Sequence, residues 1–291
     1  MLQFYSTNRE APLVNLREAL LRGQSPDRGL YLPDWFPQVT QAEIAAFASK
    51  SYPEIAFEVL RKFTDDVVDD ATLRTLCADA YNFDVPLEKV YDRVHVMRLD
   101  RGPTASFKDF AARMMARLIG RFVRETGKPL TILTATSGDT GSAVANAFHG
   151  VHGIRVLVLF PIDEVSDRQR KQMTTLTGNI RSIAVAGKFD DCQALVKRAF
   201  ADPALLAVPL SSANSINIGR LLPQSVYYFH AASRLTEPGE LVVDPFCGGG
   251  TVPVACVATG RRYIATEEDR GVAAAARARI VAFRKASLAP E

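Results

Sequence analysis

Cysteine is scarce in this chain of 291 residues: only Cys77, Cys192, Cys247 and Cys256 occur, far apart and without a C-x-x-C pair. That spacing indicates neither a disulfide framework nor a zinc site, so no metal is expected. Small thiols buried as hydrophobes are the ordinary alternative. Strong charge is also lacking. The net charge of +3 is too small and too evenly spread for a nucleic-acid surface. Residues 237–291 balance seven Lys/Arg against seven Asp/Glu. No apolar run approaches the roughly 18 residues that span a bilayer. The opening MLQFYSTNREAPLV has no basic-then-apolar signal pattern. A soluble, cytoplasmic protein with neither a membrane nor a nucleic-acid partner is therefore expected. Internal repeats and low-complexity stretches are absent as well.

Apolar residues make up 47% and charged residues 23%, enough for a large core and too apolar for disorder. The length allows two domains. Residues 1–92 read as a small, mainly helical unit: AEIAAFAS and EIAFEVLRKF have helical apolar spacing, and Pro26, Pro33, Pro37 and Pro53 punctuate the start. After about Tyr91 strands and helices alternate. TILTA (131–135), RVLVLFPI (155–162) and IRSIAVAG (180–187) read as strands. Helices are expected over 142–150, over 166–178 closed by Gly178, over 190–200 with Asp190 as N-cap, and over 218–235 with a bend at Pro223. The fold class is α/β, with a mostly parallel sheet flanked by helices. Ligands in such folds sit at the carboxyl ends of the strands.

Four stretches could carry chemistry. In GPTASFKDFAARMMARLIGRFV (102–123), Phe110, Met114, Leu118 and Phe122 mark a buried helix face, and Arg113, Arg117, Arg121 and Arg124 a polar one. Lys108 falls at the helix start, where the positive dipole end disfavours an ammonium. Its neutral amine would suit attack on a carbonyl; a surface lysine beside a turn is the alternative. In TATSGDTGSAVANAF (134–148) a strand meets a turn dense in glycine and hydroxyls, then a helix of small residues. Free N–H groups at that helix start suit phosphate or carboxylate, with Ser137 and Thr140 as hydroxyl donors; an ordinary capped turn is the alternative. NSINIGR (214–220) offers Asn214, Ser215 and Asn217 to a polar substrate, or merely caps the long helix. Finally, LVVDPFCGGGTVPVACVATGRRYIATEED (241–269) is a strand, a glycine loop, a helix and a second strand, with Glu267 placed to take a ribose. A glycine turn joining strand to helix is the plain reading.

Taken in order, the first three stretches resemble threonine synthase, a pyridoxal-phosphate (PLP) family of fold type II, over residues 1 to about 236. GQSPDRGLYLP (23–33) is similar to its N-terminal G-L-A-P-D-G-G-L-Y-x-P. GPTASFKDF is similar to H-G-P-T-x-A-F-K-D-F, and TILTATSGDTGSAVANAF, FDDCQALVKRAF and NSINIGRLLPQSVYYF resemble the family throughout. Arg101 stands in place of the family's His, Ala105 and Ser106 in place of Leu-Ala, and Arg28 in place of Gly. The resemblance implies that Lys108 forms the PLP Schiff base and shuttles the substrate's Cα proton. It implies that Thr136, Ser137, Gly138, Asp139, Thr140 and Gly141, with Asn214, Ser215 and Asn217, position O-phospho-L-homoserine. Water and that substrate would give L-threonine and phosphate. Residues 1–92 would be the N-terminal domain and 93–236 a partial PLP core.

From about Glu237 the resemblance changes. The threonine synthase family continues with a strand, a G-N-F-G-D phosphate loop and a further C-terminal stretch. EPGELVVDPFCGGGTVPVACVATGRRYIATEED instead resembles the C-terminal S-adenosylmethionine (SAM) motif of DNA N4-cytosine/N6-adenine methyltransferases. That resemblance implies Asp244, Phe246 and Gly248 beside SAM and Glu267 on its ribose. The catalytic D/S-P-P-Y motif is missing, so DNA methylation is not implied. By topology alone, Gly248, Gly249, Gly250 and Thr251 occupy the place of a PLP phosphate loop. Residues 237–291 are thus read as a Rossmann-like tail. A truncated threonine synthase-like lyase, with or without activity, a SAM-binding fragment and a non-catalytic chimera are the three readings that follow.

Overall fold

The computed structural model describes residues 2–64, 67–92, 94–205, 207–236 and 239–244, and after these only 256–257, 262–265, 273–274, 276–278 and 280–281. The chain divides into two compact units, Met1–Phe36 with Tyr52–Tyr227, and Pro37–Ser51 with Tyr228–Glu291.

The first unit opens on β1 (Phe4–Ser6), α1 (Leu16–Arg22) and β2 (Tyr31–Pro33), with β1 and β2 antiparallel. Asn15 caps α1 by accepting from the Glu18 N–H at 2.9 Å. Three-residue strands are too short to show an alternating pattern, so this pair adds to the mainly helical reading of 1–92. In the second unit lies α2 (Gln41–Phe47), capped reciprocally by Thr40 and Glu43. Phe47 meets Phe229 edge-on there at 6.2 Å, and the Arg234 guanidinium donates to the Lys50 carbonyl.

The first unit continues with α3 (Tyr52–Thr64), α4 (Asp70–Ala80) and the antiparallel hairpin β3 (Leu87–Tyr91) and β4 (Val94–Met97). Next comes α5 (Lys108–Thr126), then β5 (Leu130–Ala135), α6 (Asp139–Phe148), β6 (Ile154–Pro161), α7 (Asp167–Thr174), β7 (Ile180–Val185), α8 (Phe189–Ala201) and β8 (Leu210–Ser212). Helix α9 (Ile218–Leu235) runs through Pro223. In the second unit β9 (Leu241–Asp244) pairs in parallel with β10 (Arg262–Ala265), Leu241 opposite Arg262.

The main sheet runs β7-β6-β5-β8 with every pairing parallel. Helical crossovers α6 and α7 carry the chain outward from β5 to β7, and α8 brings it back to the far side of β5. The apolar runs of β5 and β6 suit strands covered on both faces. On α5, Phe110, Met114, Leu118 and Phe122 are all buried, as their spacing required.

Several boundaries differ from the sequence reading. Helix α6 starts three residues early, at Asp139, because Thr136 caps its first turn. Helix α7 stops at Thr174, four residues before Gly178, which turns with φ 70° into β7. Helix α8 is capped at Lys188, not Asp190: the Asp191 carboxylate reaches back to the Lys188 N–H at 2.7 Å. Arg113 leaves the polar face of α5. It is buried at the end of α4 on the carbonyls of Ala80 (2.6 Å) and Asp79 (2.9 Å) and on Asn82 Oδ1 (2.8 Å).

Candidate functional site

The strand order sets where a ligand can enter. Strands β6 and β7 lie on one side of β5 and β8 on the other, so the connections diverge at the carboxyl ends of β5 and β8. A crevice opens at such a switch point. Residues 136–141 leave β5 on one wall, and residues 213–217 leave β8 on the other.

The first wall is a tight turn. Thr136 Oγ1 accepts from the N–H groups of Gly138 (2.9 Å) and Gly141 (2.8 Å). Gly138 has φ 136°, and a Cβ there would sit 2.4 Å from Gln169 Cδ, so only glycine fits. The N–H groups of Ser137, Asp139 and Thr140 make no hydrogen bond among the described residues. Three free donors at a helix start are of the kind that suits an anion.

The second wall is tied to the first by Asn214. Its Oδ1 accepts from the Ala135 N–H at 3.2 Å and its Nδ2 donates to the Ala135 carbonyl at 2.8 Å. Strand β8 ends its pairing at Ser212, and the Asn214 carboxamide continues the ladder in place of backbone. Asn217 is fully buried and spent inward, on Leu20 O (3.0 Å), Ser212 O (2.9 Å) and the Gly219 N–H (2.9 Å). It holds the turn with both ends of its carboxamide. Ser215 is exposed.

Lys108 stands at the start of α5 because the turn before it is rigid. Asp109 is buried and accepts from Thr104 N–H (2.8 Å) and Oγ1 (2.7 Å). Burial pushes its carboxyl upward while the Thr104 bonds pull the other way. Phe110 packs among Tyr52, Tyr81, Phe83 and Tyr227 at centroid distances of 5.2–6.1 Å. The Lys108 ammonium lies over the Phe107 ring at 4.2 Å and reaches Asp139 Oδ2 at 3.4 Å, with its side chain 20% exposed. Two separate sequence stretches therefore meet at one ion pair. Arg101 turns away to Glu88, 3.7 Å off.

Three neighbours gave little or no sign in the sequence. Asp109 is hidden in the helix start. Gln169, which bonds Asp139 Oδ1 at 2.6 Å, shows only as the fourth residue of the capping pattern S-D-R-Q. Arg220 is 5% exposed, donates from Nη1 to Ala213 O at 2.8 Å, and its Nε has no partner among the described residues. Burial pushes its guanidinium down to about 10. Of the tail candidates, Asp244 ends β9, while Phe246, Gly248, Gly249, Gly250, Thr251 and Glu267 lie outside the described residues. A cavity of about 760 Å³ lined by His149, His152, Arg155 and Arg181 opens at the opposite, amino-terminal edge of the sheet. Among the described residues no group of His, Cys, Asp or Glu could hold a metal ion. No described helix is long and apolar enough to cross a membrane.

Comparison with known proteins matches this geometry to a family. Residues 71–285 fit the model described as Pyridoxal-phosphate dependent enzyme, well over half of the chain. The chain belongs to the pyridoxal-phosphate dependent enzymes. Residues 3–81 of this family member fit the model described as Threonine synthase N terminus. It is 39% identical over 248 residues to threonine synthase of Pseudomonas aeruginosa, covering 83% of this chain and 53% of that protein. Threonine synthase of Haemophilus influenzae is 43% identical over 237 residues, covering 81% and 55%. Among solved structures, PLP-bound threonine synthase of Brucella melitensis superposes with a TM-score of 0.77 at 36% identity, covering 89% of this chain and 57% of that one. Threonine synthase of Escherichia coli gives 0.78 at 36%, covering 88% and 60%. The fold is thus the fold type II α/β arrangement of these structures. The chain spans about half the length of the curated relatives it matches.

Proposed function

We propose that this chain is a threonine synthase-like PLP lyase, converting O-phospho-L-homoserine and water to L-threonine and phosphate. The carrying observation is the Lys108 amine, held at the switch-point crevice by Asp139 Oδ2 at 3.4 Å. The residues present fit the cofactor: Lys108 puts a primary amine at the crevice, and such an amine condenses with an aldehyde in its neutral form. Lys108 would hold PLP by its carbonyl carbon. When bound, PLP supplies the electron sink for charge developing at the substrate's Cα.

The chain's own residues divide the remaining work. Asp139 keeps the Lys108 Nζ aimed along the crevice. The neutral Nζ accepts the Cα proton, and the protonated one returns it. The free N–H groups at Ser137, Asp139 and Thr140, with the Ser137 and Thr140 hydroxyls, bind the substrate's anionic group. Asn214 fixes the spacing of the two walls. Supporting this assignment are the identities of about two residues in five to threonine synthases. We divide the chain into an N-terminal domain (1–92), a PLP core (93–236) and a tail (237–291); the family match over 3–81 supports the first, and the pyridoxal-phosphate match runs on across the second boundary to residue 285.

For the tail, the PLP reading places the cofactor phosphate at Gly248–Thr251. It is supported by the family match reaching residue 285 and by the parallel β9–β10 pair, a strand order that suits a phosphate loop. The same strand order also suits SAM, with Asp244 and Glu267 as its contacts. Purified protein mixed with PLP should absorb near about 410–430 nm, and Lys108→Ala should abolish the band. Phosphate release from O-phospho-L-homoserine should depend on the same lysine. Absence of the band, or its survival in Lys108→Ala, overturns the proposal. Calorimetric binding of SAM, lost in Asp244→Ala, would instead support the second reading.

A further inference from the structure

Helix α7 carries a side chain with two jobs. Gln169 is the third residue of the helix, and its Oε1 accepts from Ser166 N–H (3.2 Å) and Ser166 Oγ (2.8 Å), completing a capping box. A capping-box Gln needs only that oxygen and commonly leaves its amide nitrogen to water. Here the nitrogen is directed: Nε2 donates to Asp139 Oδ1 at 2.6 Å, while Asp139 Oδ2 faces Lys108. Each end of the Asp139 carboxylate therefore has its own partner.

The surroundings hold Gln169 in that position. Its amide lies flat over Gly138, where an added Cβ would come within 2.4–2.6 Å of Cδ, Nε2 and Oε1. Ser142 Oγ donates to the Gln169 carbonyl at 3.3 Å. One turn further along α7, Gln172 donates to the Thr104 carbonyl at 3.4 Å, in the turn that precedes Lys108. Met173 packs beneath Gly141. The helix thus contacts both the lysine's turn and the aspartate's turn.

We propose that Gln169 is a positioning residue, which fixes the Asp139 carboxylate so that α7 sets the orientation and reactivity of Lys108. This rests on the reading of Lys108 as the nucleophilic lysine. Glutamate is sterically close to glutamine and serves equally in a capping box, but it cannot donate to Asp139. It would add a second carboxylate beside the first and draw the Lys108 Nζ more firmly into its ion pair. Alanine would instead release Asp139 and loosen the lysine.

The test is modification of Lys108 in the full chain by trinitrobenzenesulfonate at fixed pH, followed by peptide mapping. Gln169→Ala should speed labelling about two- to fivefold and Gln169→Glu should slow it by a similar factor, the range an ion pair this exposed commands. Ser166→Ala removes the hydroxyl cap but leaves Gln169 Oε1 on the Ser166 N–H and Nε2 on Asp139, so it should shift the rate less than Gln169→Ala. In an Asp139→Ala background, Gln169→Ala should add nothing. If Gln169→Glu tracks wild type, or Ser166→Ala tracks Gln169→Ala, the residue is a cap only and the proposal fails. The rate of appearance of the PLP absorbance band provides a separate readout. A band with normal kinetics in all variants overturns the positioning role alone. No band in wild type, with labelling rates in the expected order, overturns the cofactor reading and leaves the positioning role standing.

Discussion

Asn214 is the sharpest place to test the architecture of the crevice. Strand β8 stops pairing with β5 at Ser212, and beyond it the Asn214 carboxamide supplies both an acceptor and a donor to Ala135, which is 2% exposed. Asn214→Ala removes both bonds and leaves a buried N–H and C=O without partners. A net bond contributes about 1 kcal/mol and an orphaned buried group costs about 1–3 kcal/mol, so a loss of about 2–4 kcal/mol follows. Two bonds at one residue are not independent, which keeps the estimate below the simple sum. For a unit of this size each kcal/mol lowers Tm by about 2–4 °C. Asn214→Asp separates the two bonds. A carboxylate still accepts from the Ala135 N–H but cannot donate to its carbonyl, and it sets two acceptors face to face. The aspartate variant should lose stability about as much as the alanine variant. Hydrogen exchange then tells them apart: the Ala135 amide should lose protection in Asn214→Ala and keep it in Asn214→Asp. Urea unfolding and residue-resolved exchange measure both. An aspartate variant within about 0.5 kcal/mol of wild type would refute the ladder argument, since that margin is what an ordinary surface substitution shows.

Three further outcomes follow from the structure. Gly138→Ala should lower stability by about 1–3 kcal/mol through backbone strain alone, and more through its clash with Gln169, whereas Gly127→Ala, with φ 65° and nothing within 4 Å of the added carbon, should cost less in the same thermal melt. Asp27 accepts from Ser6 Oγ at 2.6 Å, Gly29 N–H at 2.9 Å and Glu10 N–H at 3.1 Å, and these bonds, the Ser6 hydroxyl foremost, hold its carboxyl down at about 2. Its contribution is present above the unfolded value of about 3.9 and is lost as pH falls through about 2, so Asp27→Asn should flatten the Tm–pH curve between those values and leave a parallel offset above them. Burial pushes the Cys77 thiol up to about 12 and raises that of Cys192. Ellman's reagent at neutral pH should therefore modify neither in the native protein and both in denaturant, with rapid native labelling of Cys77 counting against its placement.

Amino-acid order alone carried the α/β alternation, because β5, β6 and β7 are short apolar runs and α6 and α8 keep apolar faces, whereas β8 (LSS) and α7, which buries only Met173, carry little such signal. It also singled out Lys108 and the turn 136–141: a lysine at a helix start and a run of hydroxyls and glycines are local facts about the chain. Boundaries failed where a nearby polar side chain, not the apolar period, decided them. Thr136 capping three residues ahead moved the start of α6, and Asp191 moved the cap of α8. Which polar residues face a ligand was not legible either. Asn214 and Asn217 look alike in sequence, yet one bridges β5 and β8 while the other is buried against Leu20, nearly two hundred positions away. The Lys108–Asp139 pair and the Gln169–Asp139 brace each join residues 30 or more positions apart in the chain. Sequence periodicity reports one element at a time. Such contacts exist only once the strand order β7-β6-β5-β8 has brought the ends of β5 and β8 side by side.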